Sequence, residues 1–571
     1  MFNFEKFQET GPYHGDFLIS THNNNFLDST MNNLKFFKLS TINNFIYTRG
    51  YPTTIHLDET LFSGISQLDK KIIYGPSVYK GIHHKFNEIG EYYLLEIHKE
   101  KTIVRTDFFG AVPIYYGNGF VSNRLQLIFL AMKSIGIPLI NRSILFTNFM
   151  IQNAFNQQLS TFDTIINNVK KLPRQKYIII DQNITIYGGL NSFEILSPNE
   201  YHKYIENAAQ EISDVIQAVL NSFPFPQVAL TGGRDSRVIY AALVAMGKIN
   251  DVQLVTSDVG SDRKIASGLV KKFGGSYHNF ERYQSLLMTK YFDNLERFIG
   301  FYFFTKLNIP DRDLREYLFT YQEKVCRIGG GCGEIFRDFY TKTGIKFRTQ
   351  LYHIEEFEYF FKNSYFQPKG FDEAFPYLVS TFDALAGKTF SQKLSSHYLE
   401  FRNTYHFGNR LSKTSQIDIS PLASKNLFFA SRGLPDKVRD TGRVLFDITK
   451  IFCEELAYTQ YDSPSIDFSR IEYHKKSRFD GKELPITPDI AICTSGSTQD
   501  DISAPKSRSL IDYKKDIAYK LIHNLESSTN FSFLSDNSNK KKLEFLIQKN
   551  NPSLNRYIFN MLEAAFVDKY L

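Results

Sequence analysis

Two hydrophobic periodicities divide this chain of 571 residues. Up to about residue 189 the apolar positions come in short runs separated by polar turns, which predicts a β-rich region. Residues 91–97 and 102–104 predict strands, and 105–116 a turn followed by a buried strand. Residues 191–199 are polar and contain proline, and they predict a linker. From residue 200 the period becomes helical, and 200–220 predicts an amphipathic helix. The run Val228-Ala229-Leu230 predicts a short buried strand. A helix over 238–246 follows, with Ile239, Ala242, Leu243 and Met246 on one face and Gly247 as its stop. Residues 252–256 repeat the strand, 258–262 a loop, and 264–273 a helix with Ile265, Leu269 and Phe273 in phase, ended by Gly274-Gly275. Strand, loop and helix taken twice make a βαβ unit and imply parallel pairing. A third strand is predicted at 324–328. Residues 356–392 are rich in aromatic residues and helix formers without an arrangement that can be assigned. Residues 493–509 predict a mobile loop or lid, the tail from 510 is helical in pattern, and no internal repeat is visible.

Composition narrows this picture. A length of 571 residues predicts two or more domains, and 42% hydrophobic with 22% charged residues is the balance of a soluble globular protein. A net charge of +7 is too dilute over such a length to argue for nucleic acid, and no arginine-rich patch supports it. Lys540-Lys541-Lys542 reads as a solvated helix face. The four cysteines (Cys326, Cys332, Cys453, Cys493) show neither metal-ligand spacing nor a disulfide framework. Without a signal peptide at Met1-Phe2-Asn3-Phe4, the expected compartment is the cytoplasm. The longest apolar runs, such as 127–132, are too short to cross a bilayer, so membrane insertion is not expected.

Candidate chemistry lies between the first buried strand and its helix, in Leu230-Thr231-Gly232-Gly233-Arg234-Asp235-Ser236. Backbone N–H groups at a helix start lack internal partners and carry partial positive charge. Gly232 and Gly233 let an anion approach that backbone. Thr231 and Ser236 add hydroxyl donors, and the Asp235 carboxylate can hold a divalent cation. The reading is a phosphate-binding loop with its own metal ligand; the alternative is a Gly-Gly turn with Asp235 as helix N-cap. Gly387-Lys388-Thr389 looks like the end of a GxxxxGK[ST] loop, but Phe382 stands where the first glycine is required.

The Thr231–Ser236 loop resembles the SGGxDS pyrophosphate loop of the ATP-pyrophosphatase superfamily. Within that superfamily the chain resembles the asparagine synthetase class, which includes β-lactam synthetases and lasso-peptide macrolactam cyclases. Asp107, Gly110, Pro113, Tyr115 and Tyr116 resemble the D-x-x-G-x-x-P-L-Y-Y signature of its N-terminal glutaminase-like domain, and 121–124 lies near the typical "SE" segment. Lys170-Lys171-Leu172-Pro173 with 176–181 resembles the closing hairpin of that domain. Gly329-Gly330-Gly331-Cys332-Gly333-Glu334-Ile335-Phe336 resembles S-G-x-G-x-D-E-[VI]-F. Gly333 there replaces the second metal-binding Asp, and Gly330 replaces an acidic residue of asparagine synthetases. Residues 418–422 with Gly433-Leu434-Pro435 resemble a later family stretch, and Lys476, three residues before Phe479, resembles a lysine that stabilises charge in adenylation.

The resemblance implies an α/β protein. Residues 1–190 form a degenerate glutaminase-like α+β sandwich of the N-terminal-nucleophile type. Residues 191–571 form a parallel-sheet ATP-pyrophosphatase domain with helical additions. It implies ATP and Mg²⁺, with Leu230, Thr231, Gly232, Gly233, Asp235, Ser236, Val255, Thr256, Gly329 and Gly330 at the nucleotide, and Asp235 and Glu334 at the metal. Lys476 and Arg337 are its catalytic candidates. Phe2 occupies the position of the nucleophilic cysteine, so no glutamine hydrolysis is expected. The implied activity is AMP-forming amide-bond synthesis on a peptide or small molecule carrying a carboxylate and an amine, or with free ammonia. A biosynthetic partner protein or a homodimer is compatible with it. The other readings are amidation of a surface-polysaccharide sugar acid, a non-catalytic nucleotide-binding relative, and a sulfur transferase using Cys326 or Cys332.

Overall fold

The computed structural model describes residues 15–51, 54–81, 90–137, 140–144, 160–189, 193–256, 261–279, 326–337, 339–340, 351–362, 368–404 and 417–462, with a few positions between 519 and 544. Thirteen strands among the described residues precede residue 190. They are β1 (Asp16–Ser20), β2 (Phe37–Ser40), β3 (Phe45–Arg49), β4 (Glu59–Leu68), β5 (Lys71–Tyr74), β6 (Ser77–Lys80) and β7 (Gly90–Ile97). After these come β8 (Thr102–Thr106), β9 (Tyr115–Gly117), β10 (Phe120–Ser122), β11 (Lys170–Lys171), β12 (Lys176–Ile180) and β13 (Ile184–Gly188). One antiparallel sheet runs β11-β9-β10-β1-β3-β2; the other runs β13-β12-β8-β7-β4-β5, with β6 also on β4.

Both sheets feed one core. Phe17, Ile46 and Val121 of the first pack with Leu61, Tyr93, Leu95, Val104 and Ile178 of the second. The pleat explains why β7 lacks alternation: Tyr93, Leu95 and Ile97 enter that core, while Tyr92 and Leu94 face Phe62 on the other side. The Asp107–Gly110 signature is turn chemistry. Asp107 accepts the N–H of Phe109 at 2.9 Å and of Ala111 at 3.0 Å, and Gly110 has φ +60°.

The proline of the expected linker starts a helix instead. Ser197 and Glu200 form a reciprocal capping box, and Pro198 sits in the first turn of the helix Pro198–Ser222. This helix buries Tyr201, Ile205, Ala208, Ile212, Val215 and Val219. It leads into five parallel strands: β14 (Gln227–Ala229), β15 (Gln253–Thr256), β16 (Tyr277–Asn279), β17 (Cys326–Ile328) and β18 (Ile417–Ile419). The helices Arg234–Ala245 and Ser261–Phe273 are the two crossovers the sequence predicts. Strand order is β16-β15-β14-β17-β18, so the chain reverses direction across the sheet between β14 and β17.

The unassigned stretch 356–392 folds into helices. Ile354–Lys362, Pro368–Ala384 and Phe390–His397 bury Phe357, Phe361, Phe371, Phe382 and Phe390 in the same core as the parallel sheet. Thr389 and Gln392 form the capping box of the last of these, so Gly387-Lys388-Thr389 is a helix start. That helix runs on into a π-helical turn, Tyr398–Arg402. Among the described residues, no helix is long and apolar enough to cross a membrane.

Candidate functional site

In open parallel sheets, ligands bind beyond the carboxyl ends of the strands, in the crevice where strand order reverses. Two glycine-bearing loops flank that point here: Thr231–Gly233 after β14, and Gly329–Gly333 after β17. Leu230 is buried and donates its N–H to the Val255 carbonyl at 2.9 Å, which ties the first loop to β15. Ser236 Oγ accepts the Thr231 N–H at 3.0 Å, and Thr231 Oγ1 accepts the Gly233 N–H at 3.3 Å. Both hydroxyls therefore close the loop on itself. Asp262 Oδ1 accepts the Gly232 N–H at 2.9 Å, and the Asp462 N–H donates to the Gly232 carbonyl at 3.0 Å. Gly232 is demanded by packing: a Cβ there would lie 2.9 Å from Ile265 Cδ1 and 3.0 Å from Asp462 Cβ. Gly233 is not crowded, since its nearest atom would be 3.4 Å away.

Gly233 is the N-cap of the Arg234–Ala245 helix, and no side chain caps it. The alternative in which Asp235 caps the helix is thereby corrected: Asp235 lies inside the first turn and caps none of the turn's amides. Its Oδ2 accepts from Arg337 Nη2 at 3.1 Å, and its Oδ1 is buried with no hydrogen-bond partner. Burial pushes this carboxyl up to about 6; Arg337 opposes the shift and Glu334 adds to it. Arg337 also lies 3.8 Å from Glu334 Oε1, and Glu334 Oε2 accepts from the Tyr398 hydroxyl at 3.3 Å. Burial works against the charge of Arg337, but Asp235 and Glu334 hold it above the usual guanidinium range.

The second loop is pressed against the first helix. A Cβ on Gly330 would lie 2.6 Å from the backbone of Asp235 and Ser236; one on Gly333 would lie 2.3 Å from Asp235 Cγ. Gly329 donates its N–H to the Ile419 carbonyl at 2.9 Å and is otherwise open. At the end of β15, Val255 and Thr256 are buried, and Thr256 Oγ1 has no hydrogen-bond partner. The structure thus brings together Thr231, Gly232, Gly233, Asp235, Ser236, Gly330, Glu334 and Arg337. Lys476 lies outside the described residues.

Several participants carry no recognisable sequence signal. Arg234 occupies the variable position of the loop motif and donates to the Thr441 carbonyl at 3.0 Å. Arg237 donates to the Thr459 carbonyl at 3.0 Å and the Gln460 carbonyl at 2.6 Å, and lies 3.7 Å over the Tyr461 ring. It thereby fixes the segment that delivers Asp462 to Gly232. Asp262 stands at the end of the predicted 258–262 loop, where an acid is unremarkable by sequence.

No group of three metal-ligating side chains occurs among the described residues. Mg²⁺ does not need one, because it is commonly bound by one or two carboxylates together with phosphate oxygens and water. The buried Oδ1 of Asp235 is a fitting first ligand. Cys326 and Cys332 are buried, and burial pushes the Cys326 thiol well up, away from a reactive thiolate. No protein-family model matches the chain, and no curated protein is significantly similar to it.

Proposed function

We propose that this protein is an ATP-dependent, AMP-forming carbon–nitrogen ligase of the asparagine synthetase type. One observation carries the reading. Two glycine-bearing loops face each other at the reversal point of a parallel sheet, and between strand end and helix start Asp235 Oδ1 and Thr256 Oγ1 are buried without partners. Buried polar atoms of that kind are normally satisfied, so a ligand is their natural complement. On this reading residues 1–190, with the two-sheet sandwich, are the glutaminase-like domain and residues 191–571 are the ATP-pyrophosphatase domain.

The chemistry follows in two displacements. A substrate carboxylate oxygen attacks the α-phosphorus of ATP; the new oxygen–phosphorus bond forms as the bond to pyrophosphate breaks. An amine then attacks the acyl carbon, loses a proton, and AMP departs with the acyl–oxygen electron pair. The helix start at Arg234 faces the departing pyrophosphate, and Arg234 and Arg337 balance its charge. Mg²⁺ held by Asp235, with Glu334 next to it, would neutralise charge on the phosphate oxygens. Thr256 Oγ1 offers a hydrogen bond at the adenine end. Lys476 is the resemblance's candidate for charge stabilisation. The amine comes from the substrate or from ammonia, in peptide or natural-product biosynthesis in the cytoplasm, or on a sugar acid.

The test is ATP–pyrophosphate exchange by the full chain with Mg²⁺ and candidate carboxylates. Substrate-dependent exchange and AMP release are expected; ADP release would overturn the proposal. A second reading, a nucleotide-binding relative without catalysis, draws on the Arg337–Asp235 pair, which occupies Oδ2 with a cation of the protein's own. Calorimetric ATP binding without any exchange would select it.

A pH prediction follows from Asp235. The group acts as a carboxylate, and its free-enzyme value is about 6. The kcat/KM of exchange reports free-enzyme ionisations, so it should rise with pH through about 6 and level above it. Measured between pH 5 and 8, a profile already flat through that range would remove Asp235 as the controlling group.

A further inference from the structure

A second polar site lies away from the glycine loops, where the sandwich meets the helices of the second half. The end of β11, the turn that follows it, the β12–β13 hairpin and the helices Pro368–Ala384 and Phe390–His397 line a cavity of about 490 Å³, within the range of small-molecule sites. Its wall carries Lys170, Arg174, Gln175, Lys176, Ser396 and Glu400.

The hydrogen-bond balance of this wall is uneven. The Arg174 side chain is only 5% exposed, its Nη1 has no partner, and Nε lies 3.4 Å from Glu400 Oε1 without a hydrogen bond. The amide Nε2 of Gln175 is likewise buried without a partner. Glu400 is already committed: its carboxylate accepts the Arg174 N–H at 3.1 Å and lies 3.6 Å from Lys171 Nζ. Lys170 is held by Asp163 at 3.4 Å. Lys171 and Arg174 share Glu400, Asp107 also acts on Lys171, and Lys176 lies on the same wall.

Local backbone adds two independent marks. Gln175 has φ +60°, a left-handed conformation rare for a side chain of its kind. Such strain concentrates at ligand clamps. Glu400 sits in the π-helical turn Tyr398–Arg402. Single π-turns inside helices are frequent at functional sites.

We propose that this cavity binds a small, acceptor-rich anion through its carboxylate or phosphate group, with Arg174 and Lys176 pairing the charge and Gln175 donating from the side. Donors without acceptors, on Arg174 and Gln175, with the Lys176 cation on the same wall, select that chemistry over a cationic ligand. Glu400 limits the ligand's charge, since a polyanion would meet its carboxylate. The proposal does not depend on the nucleotide reading of the glycine loops.

The experiment is titration calorimetry of the full chain with the monocarboxylate glycolate and with inorganic phosphate at constant ionic strength, and sorbitol as the neutral control. One of the two anions should bind saturably, and which one does separates a carboxylate ligand from a phosphate ligand. Lys176→Ser removes a cation from a partly exposed hairpin position. Ala384→Trp fills the mouth from an exposed helix position. Each should weaken binding by at least about tenfold, the scale of one charged hydrogen bond, with the melting temperature kept. Arg337→Met, at the glycine loops, should leave it unchanged. Absence of binding by both anions at millimolar concentration would overturn the proposal. So would binding that survives both cavity variants, or binding lost only in Arg337→Met, which would place the anion at the glycine loops.

Discussion

Asp235→Asn leaves the protein folded and lowers substrate-dependent pyrophosphate exchange by roughly 10²–10⁴-fold, the expected loss of several kcal/mol of charge stabilisation at 1.36 kcal/mol per decade. The substitution keeps the size of the side chain and removes the charge. Folding should survive because Asp235 caps nothing: the N-cap is Gly233, and no side chain accepts there. The ionisation argument points the same way. The carboxyl's folded-state value, about 6, lies above its ordinary 3.8. The folded state therefore binds the proton more tightly, and the charged form costs stability. That cost is absent below the lower value, grows between the two, and is complete above the upper. Asparagine removes the cost at pH 8 and also removes the pairing to Arg337, which retains Glu334. Melting temperatures of the two proteins should lie close together at pH 8. The wild type alone should gain stability as pH falls through 6 towards 4. A folded variant with near-native exchange would take Asp235 out of the mechanism, and a variant that unfolds would make its role structural.

The sequence discloses elements whose period is set by local burial. The crossover helices and β14 and β15 are legible because one face of each helix is apolar and the strand centres, Val228, Leu254 and Val255, are apolar and buried. β16 and β18 are not, because Tyr277-His278-Asn279 and Ile417-Asp418-Ile419 lack the continuous apolar run of Val228-Ala229-Leu230. The aromatic stretch 356–392 hides its helices for a different reason. Phe357, Phe361, Phe371, Phe382 and Phe390 all enter one core from three separate helices, so no single phase runs through the stretch, although Ile354–Lys362 keeps Glu355, Glu358 and Lys362 exposed. At the site, glycine spacing reveals the two loops but not what presses on them. Asp462 reaches Gly232 across 230 positions of sequence, through the hydrogen bonds of Arg237 to Thr459 and Gln460. Arg337 is visible as a candidate, yet its partner is the very carboxylate assigned to the metal. Such pairings are properties of the packed fold and leave no local pattern.

Gly333 offers the sharper test of that packing. The resemblance predicts an aspartate here as a second metal ligand, so restoring it should improve the enzyme if the position is merely vacant. The geometry predicts the reverse. An added Cβ would lie 2.3 Å from Asp235 Cγ and 2.4 Å from Oδ1, closer than non-bonded atoms approach. Arg337 and the neighbouring helix turn restrain Asp235 from yielding freely. Gly333→Ala should therefore cost about 1–3 kcal/mol of stability by overpacking. By moving the carboxylate about an ångström it should lower exchange roughly 10²-fold, the typical penalty for such a misplacement. Gly333→Asp should be worse on both counts, because it sets a second negative charge against a carboxyl that burial already pushes upward. Gly329→Ala is the stability control: its added methyl meets nothing nearer than 3.8 Å, so its melting should stay close to wild type. Urea denaturation and pyrophosphate exchange on the three variants decide the matter. If Gly333→Asp folds normally and exchanges faster than wild type, Arg337 must swing aside to admit a second ligand, and the crowded arrangement at Asp235 is not the working one.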